Sequence, residues 1–522
     1  MTKSALDRIL PFIAGAFALA VFFSVIIVFT TIFSSDLSLL EHFFTYLFPR
    51  YIKDTAILTF SVCVLSAILG ASLAFLVANF SFFGSKLLNV LLVLPLAIPA
   101  YILAFIYVGI LDFDGIFVKI FGFRVDVFNI KGAILVLSLS LYPYVYLFAR
   151  ASFLAEAKPI FDIAKVLGLS RFQTFYRISI FIARPAIFSG LMLVLMETLS
   201  DYGTAAYFGV DTFSAGIFRL WFDLRDIGSA SILSSFLIVL IFALMVLEYR
   251  FAKRKNYSLR TDASAKMPKI KLGKLSSLFA FLYCFSVAFL GFLLPFGWLL
   301  YWGLKSTNLN SPAFYELAYN SLKVALISAI IITIVAFLLN FSSRLSKSEI
   351  LKTIILKCSS VGYAMPGAVI GVSLMIVFMH VSRILNVQLL SASLSVLITG
   401  YAIRYLATAV LSFESGYHKI HKSIDEASRI LSLSTLRLGL RIHAPLLRHF
   451  FVLSFIVVFV DVVKELPLSL ILRPFDFETL SIRAFFYATD ERIYEAALPA
   501  LLIVVLSLVA LLYVEFNKRK KA

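Results

Sequence analysis

The chain predicts an all-α polytopic membrane protein, with about twelve transmembrane helices in two pseudosymmetric six-helix halves. Three observations lead there. Of 522 residues, 61% are hydrophobic and only 15% are charged, and the mean hydropathy is +0.97, more apolar surface than a soluble domain can bury. Apolar runs long enough to cross a bilayer of about 30 Å recur along the whole chain. A polar segment appears twice, 264 positions apart: Asp162-Ile163-Ala164-Lys165-Val166-Leu167-Gly168-Leu169-Ser170 returns as Glu426-Ala427-Ser428-Arg429-Ile430-Leu431-Ser432-Leu433-Ser434.

In chain order the apolar runs lie near 10–33, 56–80, 88–111, 132–150, 182–200, 230–249, 278–302, 321–341, 357–380, 391–413, 446–464 and 495–515. The first exceeds the roughly 7–15 residues of a signal-peptide core, so it reads as a retained helix. Residues 1–250 form the first six-helix half, 251–277 a basic linker and 278–522 the second half. The linker is too short and polar to hold a core of its own. Cys63, Cys284 and Cys358 lie in apolar stretches without metal-type spacing, as buried inert thiols do.

The formal charge of +18 would suggest nucleic acid in a soluble chain; here its placement decides. With twelve alternating spans, Lys3, Arg8, the 158–177 segment, the linker, Arg344, Lys347, Lys352 and Lys518–Lys521 all fall on one side. The opposite loops hold Asp36, Asp112, Asp114, Asp201, Asp211, Asp223 and Asp226. The positive-inside rule then places both termini, the linker and both repeated segments in the cytoplasm. A solvated linker explains Arg250–Lys274 more simply than a site for anionic lipid.

Each repeated segment sits between the fourth and fifth spans of its half. Its acid suits a helix start, and its apolar spacing suits a short amphipathic helix. A small residue (Gly168 or Ser432) lets another backbone approach. The expected shape is an inner knob that docks in a partner's groove; a helix lying on headgroups would explain one copy but explains two matched copies less well. The segment resembles the "EAA" loop of binding-protein-dependent ABC transporter permeases. Glu426, Ala427, Ser428, Ser432, Ile442 and Pro445 follow that pattern, as do Asp162, Ala164, Gly168 and Ile178, while Ile163 and Phe181 depart from it. The whole chain looks like a fused double permease of the ferric-iron uptake type, on the stretches Glu197–Thr204, Tyr207–Phe213, Lys464–Pro467 and Leu472–Phe475.

The resemblance implies a multi-pass protein of the bacterial inner membrane with two copies of a cytoplasmic ABC ATPase and a periplasmic solute-binding protein as partners, and no nucleic acid. Asp162, Ala164, Gly168, Glu426, Ala427, Ser428 and Ser432 would couple to the ATPase. Fe(III) would be the cargo, and ATP and Mg would belong to the partner. The chain has no G-x-x-x-x-G-K-[ST] loop and no catalytic constellation, so it is expected not to be an enzyme, with no cofactor of its own. A fused permease for thiamine or another small solute would share the architecture. An ion-driven carrier would not need two inner knobs.

The repeat continues outward: Glu197 matches Asp461, and Asp201 matches Glu465. Acids four apart share a helical face, and two such faces would make a ring of four carboxylates on a cation path. Lys464, Arg219 and Arg483 could instead neutralise them as a structural salt-bridge set, or the outer charges could dock the binding protein. Pro99 and Pro366 mark expected helix breaks. The six histidines show no metal spacing, and no metal site is assigned.

Overall fold

The computed structural model describes residues 5–34, 43–112, 115–123, 125–166, 168–253, 269–306, 311–386, 393–431 and 433–521. Ser432 and linker residues 254–268 lie outside the described residues, as do the side chains of Asp162 and Ala164. Among the described residues, ten helices are long and apolar enough to cross a membrane, and twelve spans result when two bent pairs each count as one. These are Ser85–Ala97 with Ala100–Leu111, bent by 98°, and Thr435–Leu446 with Arg448–Lys464, bent by 76°. Helix is the expected solution in lipid, because it satisfies every backbone donor and acceptor within the segment.

The first bend falls at Pro99, the expected place. Pro99 (φ −55°, ψ 144°) starts the helix Ala100–Leu111, and Pro366 (φ −57°, ψ 142°) starts Gly367–Leu385 in the same conformation. Proline has no N–H to give to the preceding turn and disfavours helix in the residue before it. Both halves therefore break one helix in the same way.

The halves are interlocked. The first span packs on the second half, where Ser373 Oγ donates to Val25 O at 3.2 Å. The seventh span packs on the first half: Tyr107 Oη donates to Leu290 O at 2.6 Å, and Ser72 Oγ lies 2.7 Å from Tyr283 Oη. One hydrophobic core runs through both halves. The linker's end is tied to the first half by a two-residue parallel pairing of Phe80–Ser81 with Ile270–Lys271. Beside it, Lys269 Nζ donates to Val77 O at 2.6 Å.

The fourth span differs from expectation. Its helix runs without a break from Ile130 to Val166, so Asp162 lies within a 37-residue helix instead of opening a separate one. The second copy is separate, as expected: Leu394–Tyr417 ends, and Ser423–Ile430 begins after a turn. His418 and Lys419 donate backbone N–H bonds that close the long helix before the knob starts.

Two glycines let the fourth span lie close to its neighbours, as small residues do between membrane helices. A Cβ on Gly70 would sit 2.6 Å from Val145 Cβ, and one on Gly190 would sit 2.8 Å from Val145 Cα. Since a backbone atom cannot rotate away, Gly190→Ala should destabilise the detergent-solubilised protein by about 1–3 kcal/mol. Gly297→Ala, with nothing within 4 Å of the new methyl, should not lower the melting temperature. Equal melting temperatures for the two variants would contradict the close approach.

Candidate functional site

The repeated acids meet in one cavity of about 390 Å³ between the halves, lined by Glu197, Asp201, Asp461 and Glu465. Their local structure divides them into two kinds. The fifth span ends at Ser200 and the eleventh at Lys464, so Asp201 (φ −69°, ψ 119°) and Glu465 (φ −66°, ψ 122°) stand just past the helix ends. Neither shares a helical face with its partner four residues earlier, which corrects that expectation.

Each of these two acids starts the next helix. Asp201 accepts from Thr204 N at 2.9 Å, Ala205 N at 3.1 Å and Thr204 Oγ1 at 3.0 Å, at the head of Gly203–Tyr207. Glu465 accepts from Leu468 N at 3.0 Å, at the head of Pro467–Leu472. A helix start leaves four donors without intrahelical partners, and a carboxylate there satisfies one or two of them. Gly367 lets Glu465 fit: a Cβ there would lie 2.7 Å from both Glu465 Oε1 and Arg404 Nη1.

The neutralising cation also differs from expectation. Arg404, in the tenth span, pairs with Glu465 through Nε at 3.1 Å, and the Tyr405 hydroxyl donates to the same carboxylate. Lys464 instead donates to Leu96 O at 2.8 Å, across the halves. Arg219 pairs with Asp211, which also binds Arg50, and Arg483 pairs with Glu478. An arginine inside the apolar run 391–413 was the signal for this partner. Glu197 and Asp461 make no hydrogen bond or ion pair among the described residues. Tyr101 also lines this cavity, and its hydroxyl is buried without a hydrogen-bond partner.

At the other end of the bundle, both inner segments expose an apolar tip. Val166 is 88% exposed, and its match 264 positions on, Ile430, is 79% exposed. Gly168 is exposed at φ +63° with open space around it, a turn conformation that glycine adopts without strain. Glu426 and Ala427 are exposed, while Ser428 is buried and donates to Asp425 O at 2.7 Å. The chain then re-enters through equivalent caps. Ser170 and Gln173 bond reciprocally at 2.9 and 3.3 Å, a capping box, and Ser434 accepts from Arg437 N at 3.4 Å. A π-helical turn follows in both copies, Phe175–Ser179 and Leu438–His443.

The second knob is clamped by residues not anticipated from sequence. Arg344, at the end of Pro312–Leu345, binds Asp425 Oδ2 through Nε at 2.7 Å and donates to the carbonyls of Tyr417 (3.2 Å) and Ile420 (3.0 Å). His443 Nε2 donates to Asp425 Oδ1 at 2.9 Å. Burial pushes the Asp425 carboxyl up, but the hydrogen bonds from His443 and Arg344 outweigh it and hold it below its ordinary value. At the same offset the first half has Phe161, Phe153 and Ser179 in place of Asp425, Tyr417 and His443. Its inner end is packed instead by Phe75 against Phe80, Phe153 and Phe175, at 5.6, 5.7 and 4.7 Å between ring centroids. Among the described residues, no three His, Cys, Asp or Glu side chains stand close enough to hold a metal ion.

Residues 66–257 match the family of binding-protein-dependent transport system inner membrane components. Over this part of the chain the sequence is similar to membrane components of such transport systems. It is 26% identical over 463 residues to the Fe(3+)-transport system permease protein FbpB 2 of Haemophilus influenzae, covering 87% of each chain. It is 21% identical to the ferric transport system permease protein FbpB of Actinobacillus pleuropneumoniae, over 76% of this chain and 61% of that relative's length. Over 39% of this chain and 77% of the relative, it is 23% identical to the sulfate transport system permease protein CysT of Salmonella typhimurium. No solved structure matches.

The clamp yields a prediction. Asp425→Asn should cost on the order of 2 kcal/mol near pH 7, the range for hydrogen bonds to charged groups. Because the folded carboxyl titrates below its unfolded value of about 3.9, its contribution is present above that value and is lost as pH falls through the lowered one. The melting-temperature gap between wild type and variant should therefore persist at pH 5 and shrink only below about pH 4. A gap that has already closed at pH 5 would contradict the assigned ionisation.

Proposed function

We propose that this permease carries ferric iron from a periplasmic binding protein to the cytoplasm, with ATP and Mg held by two ABC ATPase subunits that dock on its inner knobs. The observation that carries the cargo reading is the cavity between the halves. Its four carboxylates stand against two cations, Arg404 and Lys464, a formal excess of two negative charges with all groups ionised. Such a lining favours a cation, and carboxylate oxygens are hard ligands apt for a hard metal ion. The similarity to ferric permeases over most of the chain supports the same cargo. With all of these groups ionised, an oxyanion would meet net repulsion in this cavity.

The distribution of Lys and Arg supports a cytoplasmic location for both termini and both knobs. Asp162, Ala164, Gly168, Glu426, Ala427, Ser428 and Ser432 belong to the two ATPase contacts. The exposed apolar tips Val166 and Ile430 are the parts that a partner would bury. No covalent chemistry is assigned to this chain; nucleotide hydrolysis belongs to the ATPase.

The cargo is tested in proteoliposomes containing the permease, its ATPase and the loaded binding protein. ATP-dependent accumulation of radioiron is expected, and accumulation of molybdate, sulfate or thiamine in its place would refute the reading. The docking is tested by Val166→Glu combined with Ile430→Glu. Both positions are solvent-facing, so the fold should persist while copurification of the ATPase falls about tenfold or more. Undiminished copurification would remove the tips from the contact.

A further inference from the structure

We propose that the corner where the end of the linker meets the first half binds an anionic phospholipid, with Lys86, Lys271 and Lys274 around its phosphate and the apolar side chains beside them along its acyl chains. The proposal does not depend on the cargo. It rests on this corner lying at the membrane surface, where several spans end.

Phe44–Asn79 ends at this corner, Ser85–Ala97 and Lys274–Lys305 begin there, and Ile130–Leu154 comes close to its own inner end there. Hydrogen bonds hold these ends together. The parallel pairing of Phe80–Ser81 with Ile270–Lys271 continues through Leu272 N to Ser81 O at 3.2 Å and Phe83 N to Ser277 Oγ at 3.2 Å. Tyr146 Oη donates to Asn89 Oδ1 at 2.8 Å. Gly84 turns the chain at φ +70°, and a Cβ there would lie 3.2 Å from the Phe281 ring. The described end of the linker is thus fixed against the bundle, unlike the solvated segment expected over Arg250–Lys274.

The charge at the corner is of one sign. Lys86, Lys269, Lys271 and Lys274 are all exposed, and residues 80–111 and 263–315 contain no Asp or Glu. Arg150 follows Tyr146 by four residues, on the same helical face, and its Nε is buried without a hydrogen-bond partner. Partial burial and the Arg150 charge push the Lys269 ammonium down from its ordinary value, so like charges oppose each other across the corner. Glu515 of the last span acts on Tyr146 from the other side, one carboxylate against five cations. The helix dipole at Lys274, the first residue of its helix, also favours negative charge. A general preference for cations on the inner side would treat both halves alike. The stretch 264 positions on, Glu349–Ile355, instead opens with an acid, which Lys352 neutralises at 2.5 Å.

What lies beside the lysines selects a lipid as the anion. Phe83, Leu87, Leu275 and Phe279 are exposed and belong to the same short segments as the lysines. The rings of Phe83, Phe281 and Phe285 run in a row, with 5.4 and 5.6 Å between successive centroids. Apolar side chains at a span end meet acyl chains, while lysines there reach the headgroup level. A free phosphate would use the lysines alone, and an acidic soluble protein would have to strip lipid from the apolar side chains. A zwitterionic headgroup balances its own phosphate, so a lipid with net negative charge is the better complement.

The experiment uses the permease with its ATPase, delipidated in detergent and titrated with phosphatidylglycerol or phosphatidylcholine, with bound lipid counted by native mass spectrometry. Wild type should prefer phosphatidylglycerol about tenfold. Lys86→Gln, Lys271→Gln and Lys274→Gln combined should abolish that preference, and Lys86→Gln alone should lower it about threefold. The three side chains make no hydrogen bond or ion pair among the described residues, so the triple variant should melt with wild type in phosphatidylcholine nanodiscs. Added phosphatidylglycerol should then raise the melting temperature of wild type only. Lys347→Gln with Lys357→Gln, two exposed positions of the second half, should leave the preference intact. An equal preference in wild type and triple variant would overturn the proposal in favour of a solvated linker. Loss of the ATPase from the triple variant with lipid binding unchanged would overturn it in favour of a protein contact. Displacement of the lipid by glycerol phosphate at matching concentration would overturn it in favour of a free phosphate.

Discussion

A charge placed between membrane helices must find a partner, and the ion pair of Arg404 with Glu465 is where this bundle meets that demand most fully. The carboxylate accepts from the guanidinium, a tyrosine hydroxyl and a backbone N–H. One group thus ends the eleventh span, starts the short helix after it and draws the tenth span against both. The Glu465 carbonyl also accepts from Ser469 and Ser481 hydroxyls at 2.8 and 2.7 Å. Asp201 does the simpler version of this task in the first half, without an arginine. Through these bonds the two acids hold the cavity wall to the helices that they start.

The two halves share a backbone plan but not an inner chemistry. Both break a helix at proline, both pass through a π-helical turn on re-entry, and both offer an apolar tip. Their anchoring differs. In the second half, Arg344, Asp425 and His443 tie the knob to a 34-residue helix that crosses the bundle. In the first half, aromatic rings and the pairing of Phe80–Ser81 with the linker's end stand in that place. The ionic clamp fixes direction through hydrogen-bond geometry, whereas aromatic packing tolerates sliding.

Interlocking of the halves makes them one mechanical unit. The first and seventh spans each pack on the opposite half, and Lys464 of the second half bonds to Leu96 of the first across the cavity rim. Movement of either knob must be shared through these contacts and through the continuous helices that reach the cavity. Packed interfaces of this kind switch between discrete arrangements more readily than they deform.

The long apolar spans and the positions of the two proline breaks were legible in the sequence. Each depends on local composition or on a register that repeats at a fixed offset. The acids Glu197, Asp201, Asp461 and Glu465 were also found that way, and they do share a cavity. The tertiary structure decided their roles. A helix that stops at Ser200 or Lys464 turns the next residue into a cap, and periodicity cannot see that stop. Partner choice was likewise beyond the sequence: Lys464 is adjacent to Glu465 in the chain, yet Arg404, 61 positions earlier, is the cation that reaches it. Chain neighbours at a helix end point in different directions, while side chains from separate helices converge only once the bundle has packed.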